Sequence, residues 1–181
     1  MTLIRQFRPQ VVTTYDENGG YPHPDHIRTH ETTMAAIDAA ADPRRFPGLG
    51  GQSWQVAKVY FNQQFTRARV EALHLAMIDA DLDSPYHDWI KNWDNRPDDS
   101  HRITTRIDAS DWFEVRDEAL LAHRTQIDPD GLWFAVPLSF QREIWPTEDF
   151  ELARSTVPTT LPEDDLFAGI LSFIFAAKHR L

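Results

Sequence analysis

The sequence has 181 residues, of which 41% are hydrophobic and 25% charged, the proportions of an ordinary soluble globular protein. It is acidic, with 28 Asp and Glu against 18 Lys and Arg and no basic cluster, which argues against nucleic-acid and anionic-membrane partners. It contains no cysteine, so disulfides, thiolate nucleophiles and cysteine-ligated zinc are excluded, and with no secretory signal at its start a cytoplasmic location is expected.

The first half of the chain divides into alternating helices and strands. Short runs of β-branched and aromatic residues predict strands, and apolar residues at three- and four-residue spacing predict amphipathic helices. Glycine and proline clusters mark the loops between them. The predicted elements are a helix at residues 2–8, a strand at 10–16, a helix from Asp25 through Ala41, a strand at 55–62 and a helix from Phe65 to Asp81.

The second half has a weaker pattern. Residues 83–102 are polar and aromatic-rich and predict a long connection or a lid, in which Tyr86, Trp89 and Trp93 serve either as packing or as a pocket wall. A strand is predicted at 102–108, followed by a helix through Gln126 that Asp108 or Ser110 caps.

Prolines interrupt regular structure from residue 128 to 165. There, "PEDDL" at 162–166 predicts a solvated helix start, because negative charge is favourable at a helix N-terminus. The apolar run at 167–177 is shorter than the roughly 20 residues that span a bilayer, and it predicts a buried terminal element.

The order of elements predicts an α/β fold with parallel strands, in a single domain covering residues 1–181. In such sheets ligands bind beyond the carboxyl ends of the strands. The loop after the first strand, residues 17–26, is therefore expected to lie at a ligand site.

That loop carries the residues best suited to chemistry, in the segment "YPHPDH". His26 opens a helix and could ligate a metal, His23 could face the same cavity, and Asp25 could orient one of the two imidazoles. Tyr21 offers a phenol that could polarise a carbonyl. His30 follows His26 by four residues, a spacing at which two imidazoles can share a metal. These residues fit either a hydrolytic metal site or a capped helix with polar loop residues.

The segment "TYDENGGYPHPDHIRTHE" resembles a signature of the LmbE-like (PIG-L) zinc deacetylases, and in particular of the amidases in that family that act on mycothiol S-conjugates. The segments "ALLAHRTQIDPDG" at 119–131 and "WPTEDFELARSTVPTTLPEDDLFAG" at 145–169 resemble the same amidases, so the resemblance covers residues 4–169. It implies a Rossmann-like α/β fold. It also implies hydrolysis of a small-molecule thiol conjugate at its amide bond, giving glucosaminyl-inositol and a mercapturic acid.

The resemblance also assigns roles to the residues of the motif. It implies that His26 is a ligand of one Zn²⁺ and that His23 stabilises the oxyanion or protonates the leaving amine. Asp25 would tune His23, and Tyr21 would contact the scissile carbonyl. His30 receives no catalytic role and is expected to be a packed or helix-surface histidine.

The other half of the family's metal site is a His-Pro-Asp-Asp-Glu motif, which this sequence does not contain. His-Pro-Asp occurs only at 23–25, where His26 follows it. We therefore expect the chain to correspond to the C-terminal two-thirds of such a protein, without its N-terminal strands, helices and ligands, and with a divergent tail at 170–181.

Three alternatives to the amidase remain. One is a deacetylase of N-acetylglucosaminyl-inositol, one is an inactive remnant, and one is a metal site made by His26 and His30 alone. Of the remaining residues, His123 is predicted to be a hydrogen-bonded core histidine on the apolar side of its helix. The resemblance offers a second interpretation, in which His123 or Gln126 lines the substrate pocket.

Overall fold

The computed structural model describes residues 1–93 and 98–170. Its helices and strands, in chain order, are α1 (Thr2–Phe7), β1 (Val11–Thr14), α2 (Pro24–Ala41), β2 (Lys58–Asn62), α3 (Arg67–Asp79), α4 (His87–Lys91), β3 (Thr105–Asp108), α5 (Phe113–Leu121), α6 (Leu138–Ile144) and β4 (Thr147–Ser155). Short 3₁₀ turns at Asp99–Arg102 and Ser110–Trp112 precede β3 and α5. The predicted α/β class is confirmed.

The sheet differs from the prediction in the direction of its strands. Its order is β1-β2-β4-β3; β1 pairs with β2 in parallel, whereas β2 pairs with β4 antiparallel, with an irregularity between Val59 and Tyr60. The expectation of parallel strands throughout is therefore wrong. It fails because β4 lies within residues 128–165, where prolines interrupt the pattern and the sequence predicted no strand.

The contacts of the chain group it into two compact units. The first contains Met1–Gln63, Arg102–Arg106 and the described residues from Asp149 onward; the second contains the described residues of Gln64–His101 together with Ile107–Glu148. The prediction that residues 1–181 form one domain stays a prediction.

The core of the first unit lies between α2 and the sheet. Because β2 is the strand between β1 and β4, its side chains Lys58–Phe61 are buried on both faces. The buried core residues are Ile37, Val56, Val59 and Phe61, packed against Ile4, Val12, Met34, Trp54 and Ala153. This packing holds α2 against β1 and β2, the strands of the sheet beside which the loop between β1 and α2 lies.

A buried arginine closes the C-terminal end of α2. The last carbonyls of a helix have no partner within it, and Arg5 from α1 supplies donors for them. Its guanidinium donates to the carbonyl oxygens of Ala39, Ala40, Asp42, Arg45, Phe46 and Leu49 at 2.8–3.2 Å. Arg5 thereby fixes both the end of α2 and the loop after it.

The "PEDDL" segment is not a solvated helix start, because Glu163 is buried. Its carboxylate pairs with the Lys58 ammonium, and it accepts the hydroxyl proton of Tyr60 at 2.7 Å. Burial and the Glu163 carboxylate raise the pKa of Tyr60 above its usual range. Glu163 also forms a parallel bridge with Thr105, which brings the segment after β4 against the sheet.

The second unit packs α3 against α6 around Leu73, Met77 and Val136. Tyr86 packs against this cluster, and Trp93 is buried, so the packing interpretation is confirmed for Trp93. Over the described residues, no helix is long and apolar enough to cross a membrane. Of the apolar run at 167–177, residues 171–177 lie outside the described residues, and of the rest Ile170 is buried whereas Phe167 is exposed.

Candidate metal and catalytic site

The candidate residues lie between the end of β1 and the first turn of α2, where the sequence predicted them. His23 is the N-cap of α2 and Pro24 occupies the first helical position, where a missing N–H costs nothing. The His23 Nδ1 atom accepts a hydrogen bond from the Asp25 backbone N–H at 3.2 Å. The helix therefore begins with an imidazole as its capping acceptor.

A tight turn over residues 16–20, called here the Asp16 turn, precedes these residues. Asp16 is buried, and its Oδ1 accepts the backbone N–H groups of Asn18 and Gly20 at 3.0 and 2.9 Å. The Gly19 N–H donates to the Asp16 carbonyl at 3.0 Å, and Gly19 and Gly20 both have positive φ, 76° and 72°. The turn directs the Gly19 carbonyl at α2.

His26 is held in the orientation of a metal ligand. Its Nδ1 lies 2.9 Å from the Gly19 carbonyl oxygen, and because a carbonyl only accepts, Nδ1 carries the proton. The lone pair is then on Nε2, the atom left to bind a metal, in the arrangement usual for ligating histidines. The ring also stacks on Tyr15, with centroids 4.0 Å apart and an interplanar angle of 8°.

His23 has the opposite tautomer. Since its Nδ1 accepts from Asp25, the proton of the neutral ring is on Nε2, and this N–H is available as a donor. The His23 and His26 ring centroids are 5.3 Å apart. A nitrogen with a free lone pair and a donating N–H thus come from two neighbouring rings.

Tyr21 lies beside both imidazoles. Its ring meets His26 edge-on at 4.7 Å and His23 at 5.8 Å between centroids, and the side chain is 55% exposed. Asp25 is exposed, and it contacts His23 through its backbone N–H rather than its carboxylate. The predicted tuning of His23 by the Asp25 carboxylate stays a prediction.

The described residues fit one position of a zinc site. A catalytic zinc has three protein ligands, and His26 offers one imidazole nitrogen of the right kind. Across residues 1–93 and 98–170, no group of three or more His, Asp or Glu side chains could hold a metal ion. The fit of this part of the chain to zinc is therefore that of a single ligand.

His30 is a packed histidine, as expected. Its Nδ1 lies 2.9 Å from the Tyr15 carbonyl oxygen, and its ring meets Phe61 edge-on at 5.2 Å between centroids. His26 and His30 therefore each bind a backbone carbonyl of the loop that follows β1.

The prediction that His123 is a core histidine is wrong, whereas its predicted hydrogen bond is present. Helix α5 ends at Leu121, so His123 lies in the turn that follows, exposed, with Nδ1 2.9 Å from the Ala119 carbonyl oxygen. Gln126 is exposed as well. The prediction failed because the apolar spacing continues past the point where the helix stops.

The second unit contains a pocket that the sequence analysis did not locate. The pocket has a volume of about 410 Å³, part of it open to solvent. Its lining residues are Gln64, Phe65, Arg69, Val70, Leu73, Tyr86, Arg116, Trp133 and Gln141. Tyr86 is the one residue of this wall that the sequence proposed for a pocket.

Comparison with known proteins shows which proteins this chain is similar to. A sequence profile of the PIG-L family, described as GlcNAc-PI de-N-acetylase, matches residues 1–37, which include Tyr21, His23, Asp25 and His26. The resemblance to the LmbE-like (PIG-L) proteins is therefore confirmed.

Individual relatives give a more detailed comparison. The chain is 58% identical, over 168 residues, to a mycothiol S-conjugate amidase of Streptomyces coelicolor. It is 40% identical over 178 residues to a 1D-myo-inositol 2-acetamido-2-deoxy-alpha-D-glucopyranoside deacetylase of Frankia alni, and 41% identical over 172 residues to the deacetylase of Thermobifida fusca. These alignments cover 92–93% of this chain but 57–60% of each relative, so the chain spans less than two-thirds of their length.

Proposed function

We propose that this protein is a zinc-dependent amidase that hydrolyses mycothiol S-conjugates to glucosaminyl-inositol and a mercapturic acid, as a step in the detoxification of thiol conjugates in the cytoplasm. The observation that carries the proposal is the 58% identity to an amidase of that name over 92% of the chain. The orientation of His26, with Nε2 left to bind a metal, supports it.

In this proposal His26 supplies one zinc ligand, and the remaining ligands come from outside the described residues. When bound, zinc supplies Lewis acidity toward a carbonyl and lowers the pKa of water toward about 7. The Gly19 carbonyl keeps the His26 proton on Nδ1, so that the ligating nitrogen stays unprotonated.

His23 acts on the scissile amide as a hydrogen-bond donor. Its Nε2–H donates to the carbonyl oxygen as negative charge develops there, and a single donor of this kind contributes about 3 kcal/mol to the transition state. Protonation of the leaving amine, the alternative role, would need the His23 imidazolium, in which Nδ1 no longer accepts the Asp25 N–H. The Tyr21 phenol is exposed beside this ring, which supports its proposed contact with the carbonyl of a bound substrate.

The deacetylase is the second candidate, and the relatives that are 35–41% identical support it. Its reaction breaks an amide by the same chemistry but releases acetate instead of a mercapturic acid. The higher identity to the amidase favours a conjugate as substrate.

The test uses the protein isolated from its native source, with its intact mass measured and compared with 20.9 kDa. It is assayed with a mycothiol S-conjugate and with N-acetylglucosaminyl-inositol, and the release of mercapturic acid and of acetate is measured. We expect mercapturic acid to be released at least about tenfold faster. Faster release of acetate would establish the deacetylase, and release of neither product would establish a remnant.

Variants connect the assay to the proposed roles. His23→Ala should lower kcat by about 10²–10³-fold, the effect of removing one oxyanion donor. His87→Ala, an exposed histidine of α4, is the control and should leave the rate unchanged. His26→Ala should abolish zinc binding whereas His30→Ala should preserve it; loss in both variants would support the two-histidine site instead.

A further inference from the structure

We propose that Asp16 and Arg102 are positioning residues that set the tautomer of His26 through the Asp16 turn. The inference rests on the proposed function only in giving His26 a metal to bind. The contacts that carry it all lie within the first unit of the chain.

The first step is the turn itself. The buried Asp16 carboxylate uses Oδ1 to accept two backbone N–H groups, from Asn18 and Gly20, on either side of Gly19. With the Gly19 N–H bonded to the Asp16 carbonyl, the peptide groups around Gly19 are fixed. Without the carboxylate, two successive glycines with positive φ would be free to rotate.

The second step is the direction of the Gly19 carbonyl. Its oxygen is the acceptor of the His26 Nδ1–H at 2.9 Å, and this bond is what favours the proton on Nδ1 over Nε2. If the carbonyl turns away, Nε2 gains the proton for part of the time and cannot then ligate a metal. The conformation of the turn therefore controls the atom that would bind zinc.

The third step is Arg102, whose side chain is 15% exposed. Its three guanidinium nitrogens each contact a different carboxylate: Nη1 reaches Asp16 Oδ2 at 3.2 Å, Nη2 reaches Glu17 Oε2 at 3.0 Å, and Nε reaches Glu151 Oε2 at 2.7 Å. Glu151 belongs to β4, so the fork connects the turn to the sheet. A lysine could not reproduce these three directions, because it carries a single ammonium group.

The charges agree with this geometry. Burial opposes the charge on Arg102, but the hydrogen bonds to Glu17 and Glu151 outweigh it and raise the Arg102 pKa. The hydrogen bond from Arg102 lowers the pKa of Glu17. Arg102 is thus a permanent cation, and it holds Asp16 by the oxygen that the turn does not use.

The experiment measures the His26 tautomer in the ¹⁵N-labelled, metal-free chain by two-bond ¹H–¹⁵N spectroscopy, at a pH where the imidazole shifts no longer change. The wild type should show the proton of His26 mainly on Nδ1. Asp16→Ala should lower the ratio of the Nδ1–H to the Nε2–H form about tenfold, the equivalent of one neutral hydrogen bond. Arg102→Ala should change the ratio in the same direction by a smaller factor.

The matched control is Glu17→Ala, which removes the neighbouring carboxylate of the same guanidinium but no bond of the turn. It should leave the ratio within about twofold, since one exposed ion pair contributes little. Unchanged amide shifts in β2 verify that each variant is folded, and Arg102→Ala replaces Asp16→Ala if the latter does not fold. An unchanged ratio in the folded Asp16→Ala or Arg102→Ala variant, or an equal change in Glu17→Ala, would overturn the proposal. Since no metal or substrate is present, this result is independent of whether the protein is an amidase.

Discussion

At the scale of single residues, the site depends on a glycine that has no room for a side chain. A Cβ atom on Gly19 would lie 2.8 Å from the His26 Cβ and 2.9 Å from the Tyr21 carbonyl oxygen. Gly19→Ala should therefore destabilise the protein twice over, by about 1 kcal/mol for an alanine at positive φ and by about 1–3 kcal/mol for the steric overlap. Denaturant unfolding measures the sum.

Gly48→Ala separates the two contributions. Gly48 has φ of 80°, close to the 76° of Gly19, and a Cβ there would meet nothing within 4 Å. The Gly48→Ala variant should therefore lose only the backbone contribution to the free energy of unfolding, about 1 kcal/mol. Equal losses in the two variants would show that the contact between residue 19 and His26 is relieved without cost.

The ion pair of Glu17 with Arg102 depends on pH. The hydrogen bond from Arg102 lowers the Glu17 pKa below the ordinary value of 4.5. A lowered carboxylate pKa stabilises the folded state above pH 4.5, and this contribution is lost as the pH falls through the lower value. The side-chain carboxyl ¹³C shift of Glu17 should therefore titrate with a midpoint below 4.5, and Arg102→Ala should move this midpoint back toward 4.5. A midpoint at or above 4.5 would contradict the pairing.

At the scale of elements, Arg5 joins two helices and a loop through backbone carbonyls. Arg5→Lys should lower the free energy of unfolding by about 2–4 kcal/mol, because one ammonium cannot serve carbonyls in several directions and the orphaned ones stay buried. Arg28→Lys on the exposed face of α2 is the control and should change it by less than about 0.5 kcal/mol. Similar values for both variants would show that water replaces the lost donors.

Comparison of the predicted with the observed helices and strands shows which elements the sequence could predict. Helices α1 and α2 and strands β1 and β2 are bounded by glycine and proline clusters, and they were predicted within a few residues. Strand β4, "TEDFELARS", was missed, because charged and apolar residues alternate only over its centre and most of its side chains are half-buried. Its pairing with β2 depends on residues about ninety positions away, which no local pattern contains.

The residues of the candidate site also fall into those that the sequence predicted and those that it did not. Tyr21, His23 and His26 are neighbours in the chain, so their proximity followed from the motif, and the structure brings their rings within 6 Å of one another. Arg102 is 86 residues from Asp16, and nothing in its surroundings in the sequence distinguishes it from other arginines. Arg102, which positions the site, could therefore be identified only from the fold, whereas the residues expected to react could be identified from the sequence.

At the scale of the whole molecule, the ion pair of Lys58 and Glu163 joins residues 105 positions apart in a fully buried setting. Glu163→Gln should cost about 3–5 kcal/mol of stability, because it leaves the Lys58 ammonium without its counter-charge away from water. Glu31→Gln, which breaks the exposed pair with Arg28, should cost less than about 1 kcal/mol. Denaturant unfolding of the two variants compares a buried pair with an exposed one in the same unit.

The double variant Lys58→Met with Glu163→Gln tests the cause of this loss. It removes both charges, and the glutamine oxygen still accepts the hydroxyl proton of Tyr60, which donates to Glu163 in the wild type. If the uncompensated ammonium is what destabilises Glu163→Gln, the double variant should recover at least about half of the lost free energy. If the double variant is instead as unstable as the sum of its single variants, shape rather than charge holds the segment after β4 against the sheet.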